Sequence, residues 1–297
     1  MANSSNDKPL LGMAFAFATT IVGASASAAT KYISSEVPLG SIVLIQFVVG
    51  LLVLSPWMYR QGLSGLASEH WQRHIIRGLA GFAGFCFFYL ALQHIPLVDS
   101  SLLRHSAPLF VALVAYLWVG AKVPKSRWLP MIIGFLGIAL ILRPSSTVNV
   151  WHLAGLGSGL SLAISMVGTR LLSHDESSSK ILFYYHIIAL ILSLPLALYT
   201  WQGIPAWAWP YLLYNSLSIF VAMWLYTKAY SYAKASVVSP IGYFSVVNAG
   251  ILGWLIWDHL PDAIAFIGIA VVICAGLITV WQSAREEKQN AKLKARN

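Results

Sequence analysis

The chain has 297 residues, 58% of them hydrophobic and 10% charged, with a formal net charge of +9 and a mean hydropathy of +0.71. A soluble domain carries about a quarter charged residues, and no core at this length could hide so much apolar side chain, so lipid is the solvent that fits. The basic residues sit in short loops and the tail rather than on one soluble face, which argues against nucleic-acid binding.

Runs of about 20 apolar residues bounded by charges or turn residues mark membrane-spanning helices, and ten follow in order. The first, Leu10–Ile33, contains Ala24-Ser25-Ala26, which imitates a signal-peptidase site. Its apolar stretch is too long for a signal h-region and Asp7 cancels Lys8 ahead of it, so the segment is expected to be retained. Leu39–Tyr59, Ile75–Ile95, Val98–Val119 and the short Trp128–Leu142 complete a first group of five. The second group is Trp151–Leu172, Ile181–Thr200, Trp209–Tyr232, Ala235–Trp257 and Ala263–Trp281. The bilayer has no water to satisfy backbone groups, so each should be an α-helix. Glu36-Val37-Pro38, Ile95-Pro96 and His259-Leu260-Pro261 supply tight turns, and the linkers are too short for a soluble domain.

Orientation follows from the basic residues. With the N-terminus inside, sixteen of nineteen Lys and Arg fall on the inner side, leaving Lys31, Arg104 and Arg143. That bias puts both termini in the cytoplasm of an inner (plasma) membrane protein and requires an even number of spans. Asn3, Gly65, Ser178 and Asn290 should then be cytoplasmic, and Gly40, Thr147 and Gly203 outside. Most tryptophans, among them Trp57, Trp118, Trp151, Trp209 and Trp281, fall near span ends as an interfacial belt. Trp224 lies well inside the eighth span.

Cys86 and Cys274 lie in apolar runs and read as small hydrophobes. His70 and His74 share a helical face at i,i+4, but they read as a solvated loop pair. No metal or cofactor site is expected.

The halves resemble each other at an offset of roughly 137 residues, about one five-helix unit. Tyr89-Leu90-Ala91-Leu92 matches Tyr226-Thr227-Lys228-Ala229, and Trp118-Val119-Gly120-Ala121 matches Leu255-Ile256-Trp257-Asp258. An odd number of spans per repeat inverts the second unit, an arrangement of secondary transporters with the site at the repeat interface. Arg77-Gly78, Tyr89, Ala91, Val98-Asp99-Ser100, Pro108, Trp118 and Arg143-Pro144 resemble the EamA half of the drug/metabolite transporter superfamily. The Arg-Gly start and Arg-Pro end look like its solute-carrier 35G-like branch. Two features depart from the pattern: Gly120-Ala121 and Trp257-Asp258 replace a common Gly-Glu, and Ser245 sits near where a ninth-span proline would match Pro108.

The expected fold is therefore an all-α membrane protein of ten transmembrane helices in two inverted five-helix repeats. Residues 1–9 form a cytoplasmic tail, 10–146 the first EamA repeat, 147–282 the second and 283–297 a basic cytoplasmic tail. The resemblance implies a central cavity lined by spans 1, 3, 4, 6, 8 and 9, with alternating access by rocking of the halves. Polar or aromatic candidates on those spans are Lys31, Tyr89, Ser101, Arg104, His105, Asn215, Trp224, Tyr243 and Asn248.

Ionisable groups inside a span are costly, so each needs a reason. Lys31 lies near a helix end, where it can snorkel. Asp99 can cap the fourth span by accepting from its exposed amides. Arg104 sits roughly 9 Å down that span, at 1.5 Å per residue, beside Ser100 and Ser101. Pro108 has no N–H, so the Arg104 carbonyl lacks its helical partner.

The function read from these features is a secondary transporter of a small organic metabolite bearing an anionic group such as a carboxylate. Its partners are that substrate and the lipid bilayer; it is proton- or gradient-coupled or facilitative, and a monomer or weak homodimer. Rival readings are an exporter of amphipathic drugs, amino acids or cationic metabolites, a lipid flippase, a channel or a membrane-embedded enzyme. Ser, His and Asp residues show no recognisable catalytic spacing.

Overall fold

The computed structural model describes residues 9–120, 149–172, 175–232, 241–242, 244–259 and 262–294, with 129, 132–134, 136–137 and 140. Among the described residues the regular structure is helical throughout, without a strand. The helices of the first half are α1 (Pro9–Ile33), α2 (Leu39–Leu66), α3 (Trp71–His94), α4 (Leu97–His105) and α5 (Ala107–Val119). Those of the second half are α6 (Val150–Leu172), α7 (Ser178–Tyr199), α8 (Trp209–Tyr232), α9 (Phe244–Trp257) and α10 (Ala263–Lys294). Among the described residues five helical stretches are long and apolar enough to cross a membrane: Leu10–Ile33, Leu39–Gly62, Trp71–His94, Val150–Thr169 and Ser178–Tyr199.

Several boundaries differ from the sequence expectation for identifiable reasons. The fourth span is two helices, because α4 ends at His105 and α5 starts at Ala107. Pro108 thereby falls in the first turn of α5, where a missing N–H is harmless. The Ser106 hydroxyl closes the break by donating to the Leu103 carbonyl at 2.6 Å. Helix α4 follows Pro96, and Asp99 occupies its first turn. A carboxylate there still favours the positive end of the helix dipole. Beyond Tyr59 the helical path of α2 is broken at Gly62, whose φ of 64° and ψ of 173° are non-helical and open to glycine at no steric cost, and a short second piece reaches Leu66. Helix α10 runs on to Lys294, into what was expected to be a tail. Most of Trp128–Leu142, and residues 235–240 of the ninth span, lie outside the described residues.

Packing follows a pairwise scheme. Helix α1 packs on α8 and α9, α3 on α6 and α7, α2 on α7 and α8, and α4 on α6 and α9. Helix α5 also packs on α6. With α4 and α5 taken together as the fourth span, exchanging the first four spans with the sixth to ninth leaves this set unchanged. The largest apolar cluster includes Phe47 of α2, Phe85 and Tyr89 of α3, Tyr185 of α7, Leu212 of α8 and Ala249 of α9. Leu52, Ile191, Leu198 and Leu255 point outward and are 64–69% exposed. Aqueous solvent would penalise such a surface and lipid does not.

Candidate substrate-binding site

The break in the fourth span aims Arg104 at one turn of α3. Its Nη1 donates to the Gly84 carbonyl at 3.0 Å, and its Cζ lies 4.6 Å from the Phe85 ring centre and 4.8 Å from that of Phe88. A guanidinium has five N–H donors, so one carbonyl leaves most of them free for another acceptor. Of ten acidic residues only Asp99 falls in a predicted span, and none of the ion pairs among the described residues reaches Arg104. Two aromatic faces and a carbonyl stabilise the cation without neutralising it.

Beside it on α3, Tyr89 is buried and donates its hydroxyl to Gln46 Oε1 of α2. Asn215 of α8 donates Nδ2 to the same hydroxyl at 3.5 Å. Gln46 Nε2 and Asn215 Oδ1 are buried without a partner among the described residues. An unpaired buried polar group costs about 1–3 kcal/mol, so this three-helix cluster has hydrogen-bonding capacity to offer. Gln46 was missed in the sequence, although a lone amide inside the apolar run of the second span was its signal.

The other candidates are distributed over neighbouring contacts. Lys31 Nζ donates to the Leu92 and Ile95 carbonyls at 2.7 Å each, closing the C-terminal end of α3, and lies 5.8 Å from the Trp257 ring centre. His105 joins α4 to α9, with Nδ1 2.8 Å from its own helix's Ser101 carbonyl and Nε2 2.7 Å from Ser245 Oγ. Ser245 Oγ donates to the Gly242 carbonyl at 2.8 Å. Asn248 Nδ2 donates to Thr20 Oγ1 of α1 at 3.0 Å. Trp224 is half-exposed at the edge of Phe15 and under the Lys228 ammonium, rather than inside the bundle. Tyr243 lies outside the described residues. The structure thus brings together Arg104, Tyr89 and Asn215, and separately Ser101 and His105. A groove of about 470 Å³ opens between α1, α8 and α9, lined by Ser25, Tyr32, Tyr211 and Tyr214 among others.

One end of the bundle is held by a polar network that joins the α2–α3 loop to the α6–α7 loop. Glu176 is its centre: it accepts from Ser68 Oγ at 2.5 Å, pairs with Lys180 at 3.2 Å and lies 3.9 Å from His74 Nε2. Asp175 pairs with Arg73 at 3.2 Å and His70 at 3.4 Å, while Lys180 and Tyr184 donate to the Ala67 and Leu66 carbonyls. His74 is buried against the Tyr184 ring, 4.2 Å between centres, rather than solvated as expected. Asp175 is half-exposed, and such pairs contribute about 0–1 kcal/mol, so Glu176, whose side chain is only 7% exposed, carries most of the network.

Burial alone would raise the Glu176 pKa, but the Ser68 hydroxyl, Lys180 and His74 outweigh it and hold the carboxyl below its ordinary value. A depressed folded-state pKa adds stability that is present above the unfolded value, about 4.3, and disappears as pH falls through the folded one. The melting temperature should accordingly drop as pH is lowered through that window. Glu176→Gln should flatten the drop; an unchanged pH profile in that variant would remove Glu176 from this role.

Comparison with known proteins gives consistent matches along the chain. The EamA-like transporter family matches it twice, over residues 10–143 and 149–281. A pseudopaline exporter of Pseudomonas aeruginosa is 30% identical over 84% of this chain and 90% of its own. A riboflavin transporter of Vibrio cholerae is 25% identical over 95% and 97%, and an S-adenosylmethionine uptake transporter of Rickettsia felis is 24% identical over 91% and 92%. A crystal structure shares the fold, with a TM-score of 0.62 over 90% of this chain and 96% of that one at 16% identity. These relatives are named as transporters, which sets the enzyme alternative aside; they do not bear on the solute-carrier 35G-like branch.

Proposed function

Because the chain belongs to the EamA-like transporter family of the drug/metabolite transporter superfamily, we propose that it moves a small organic metabolite with an anionic group across the membrane by alternating access. The observation that carries this reading is Arg104, a guanidinium packed on Phe85 and Phe88 inside the bundle with no carboxylate paired to it among the described residues. An oxyanion fits its free donors, and the Tyr89–Gln46–Asn215 cluster can hydrogen-bond a polar group on the same molecule.

Ten spans in two inverted repeats are part of this proposal. The double family match and the exchange symmetry of the helix contacts support it. The basic-residue bias makes the Glu176 network cytoplasmic, so it acts as an inner latch that must open for exchange with the cytoplasm. Both directions of movement occur by name among the relatives, an exporter and an uptake transporter.

Two measurements test the scheme. Ligand-induced thermal stabilisation of the purified protein, screened across amino acids, nucleotides, carboxylates and cations, should single out compounds with a carboxylate or phosphate. A hit list made only of cations would end the anionic reading. A cysteine at Ser178 should react with impermeant reagent only from the cytoplasmic side. Labelling from outside would overturn the topology.

A further inference from the structure

Arg77 on α3 is a second guanidinium inside the bundle, itself buried at 5% exposed, with incomplete pairing. Its Nε donates to Thr169 Oγ1 of α6 at 2.8 Å, and its Cζ stands 4.3 Å over the Tyr185 ring of α7. Its Nη1 and the Tyr185 hydroxyl, both buried, have no hydrogen-bond partner among the described residues. No ion pair among those residues reaches it. Thr169 and Tyr185 belong to the second half of the chain and Arg77 to the first, so the group lies between the halves.

Its placement relates it to Arg104. Arg77 precedes Gly84, the Arg104 contact, by seven residues, which is two turns along the same face of α3 and about 10 Å at 1.5 Å per residue. Across from that face α6 presents Ser158, Ser161, Ser165 and Thr169 at near-helical spacing, and the three serines are at most 8% exposed. Ser158 Oγ is itself buried without a partner. A Cβ added at Gly84 would come 3.3 Å from Ser161 Cβ, so α3 and α6 are closed on each other here. One turn beyond Arg77 stands His74, at the Glu176 network.

We propose that Arg77 and Tyr185 form a second anion site, for the carboxylate or phosphate group of the transported molecule, on the latch side of Arg104. This deepens the proposed function and rests on it for the identity of the anion as cargo. Two orphaned donors at one place, one cationic, suit an oxyanion and repel a cation. When α3 and α6 part, the serine hydroxyls line the path between the two guanidiniums. The anion then passes from Arg104 to Arg77 behind the closed network.

The test uses melting of the purified full-length protein in inorganic phosphate and in chloride at equal ionic strength. Arg104→Gln should still melt higher in phosphate, because the Arg77 site remains. Arg104→Gln/Arg77→Gln should lose that difference. Tyr185→Phe in the Arg104→Gln background keeps the ring under Arg77 and removes the hydroxyl, and should weaken the phosphate response about tenfold in concentration. That variant also carries the comparison if the double glutamine protein does not fold. An Arg104→Gln protein that melts identically in the two salts, or a Tyr185→Phe protein with an undiminished response, overturns the second site. Failure of the Arg104 reading would look different: Arg104→Gln itself would match the wild type in transport and in phosphate response.

Discussion

Arg104→Ala is expected to abolish transport while the protein folds and melts within a few degrees of the wild type. The two effects separate because the side chain's structural partners are weak. Stacking on Phe85 and Phe88 contributes about 0.5–2 kcal/mol, and the bond to the Gly84 carbonyl is one neutral acceptor. Among the described residues no carboxylate pairs with it, so the heavy penalty for leaving a buried partner uncompensated does not arise there. A bound substrate anion, by contrast, would lose about 2–5 kcal/mol, thirtyfold or more in affinity. Arg104→Lys retains the charge but cannot present a planar fork, and should lower transport by at least tenfold. Measuring flux and melting temperature together decides the point. Severe destabilisation with unchanged specific transport would make Arg104 a structural residue.

Gly159→Val should destabilise the bundle substantially. A Cβ at this position in α6 would stand 2.5 Å from the Leu103 carbonyl and 2.8 Å from Ser106 Oγ, at the junction of α4 and α5. The first of these is backbone, so relief requires α4 to move rather than a side chain to rotate. Overpacking of this kind costs about 1–3 kcal/mol, and the shift would also carry Arg104 away from Phe85 and Phe88. Both the melting temperature and transport should therefore fall. Gly23 of α1 has nothing within 4 Å of its added Cβ, and Gly23→Ala serves as the neutral control. Equal melting of the two variants would show that the α4–α6 approach is looser than the structure has it.

Helix positions were legible in the sequence wherever an apolar run ended at a charge or a proline. The first, sixth and eighth spans agree with α1, α6 and α8 to within one residue. The fourth span was harder, because apolar periodicity continues through Ser106 and Pro108 while backbone hydrogen bonding does not. The proline was recognised as depriving Arg104 of a partner; that the chain would respond by restarting the helix depends on Ser106 reaching Leu103. Arg104, Tyr89 and Asn215 were identifiable as polar groups in apolar surroundings, and the structure gathers them. Gln46 belongs with them and carried the same signal. Lys31 looked like a snorkelling residue and instead closes α3, a partnership 61 residues away in sequence that no local pattern encodes. The Ser68–Glu176 contact spans 108 residues and was equally invisible. Arg77 was read as a family signature, and its orphaned donor appears only once Tyr185 is stacked beneath it.

Flux into proteoliposomes of a matched pair of compounds tests the central claim most directly. The pair is the strongest acid found by thermal stabilisation and the uncharged amide of the same acid, so that size and shape change little while the charge is removed. The account predicts that the wild-type protein moves the acid, excludes the amide, and loses flux of the acid in Arg104→Ala. Equal flux of the amide, or of the acid through Arg104→Ala, would contradict it.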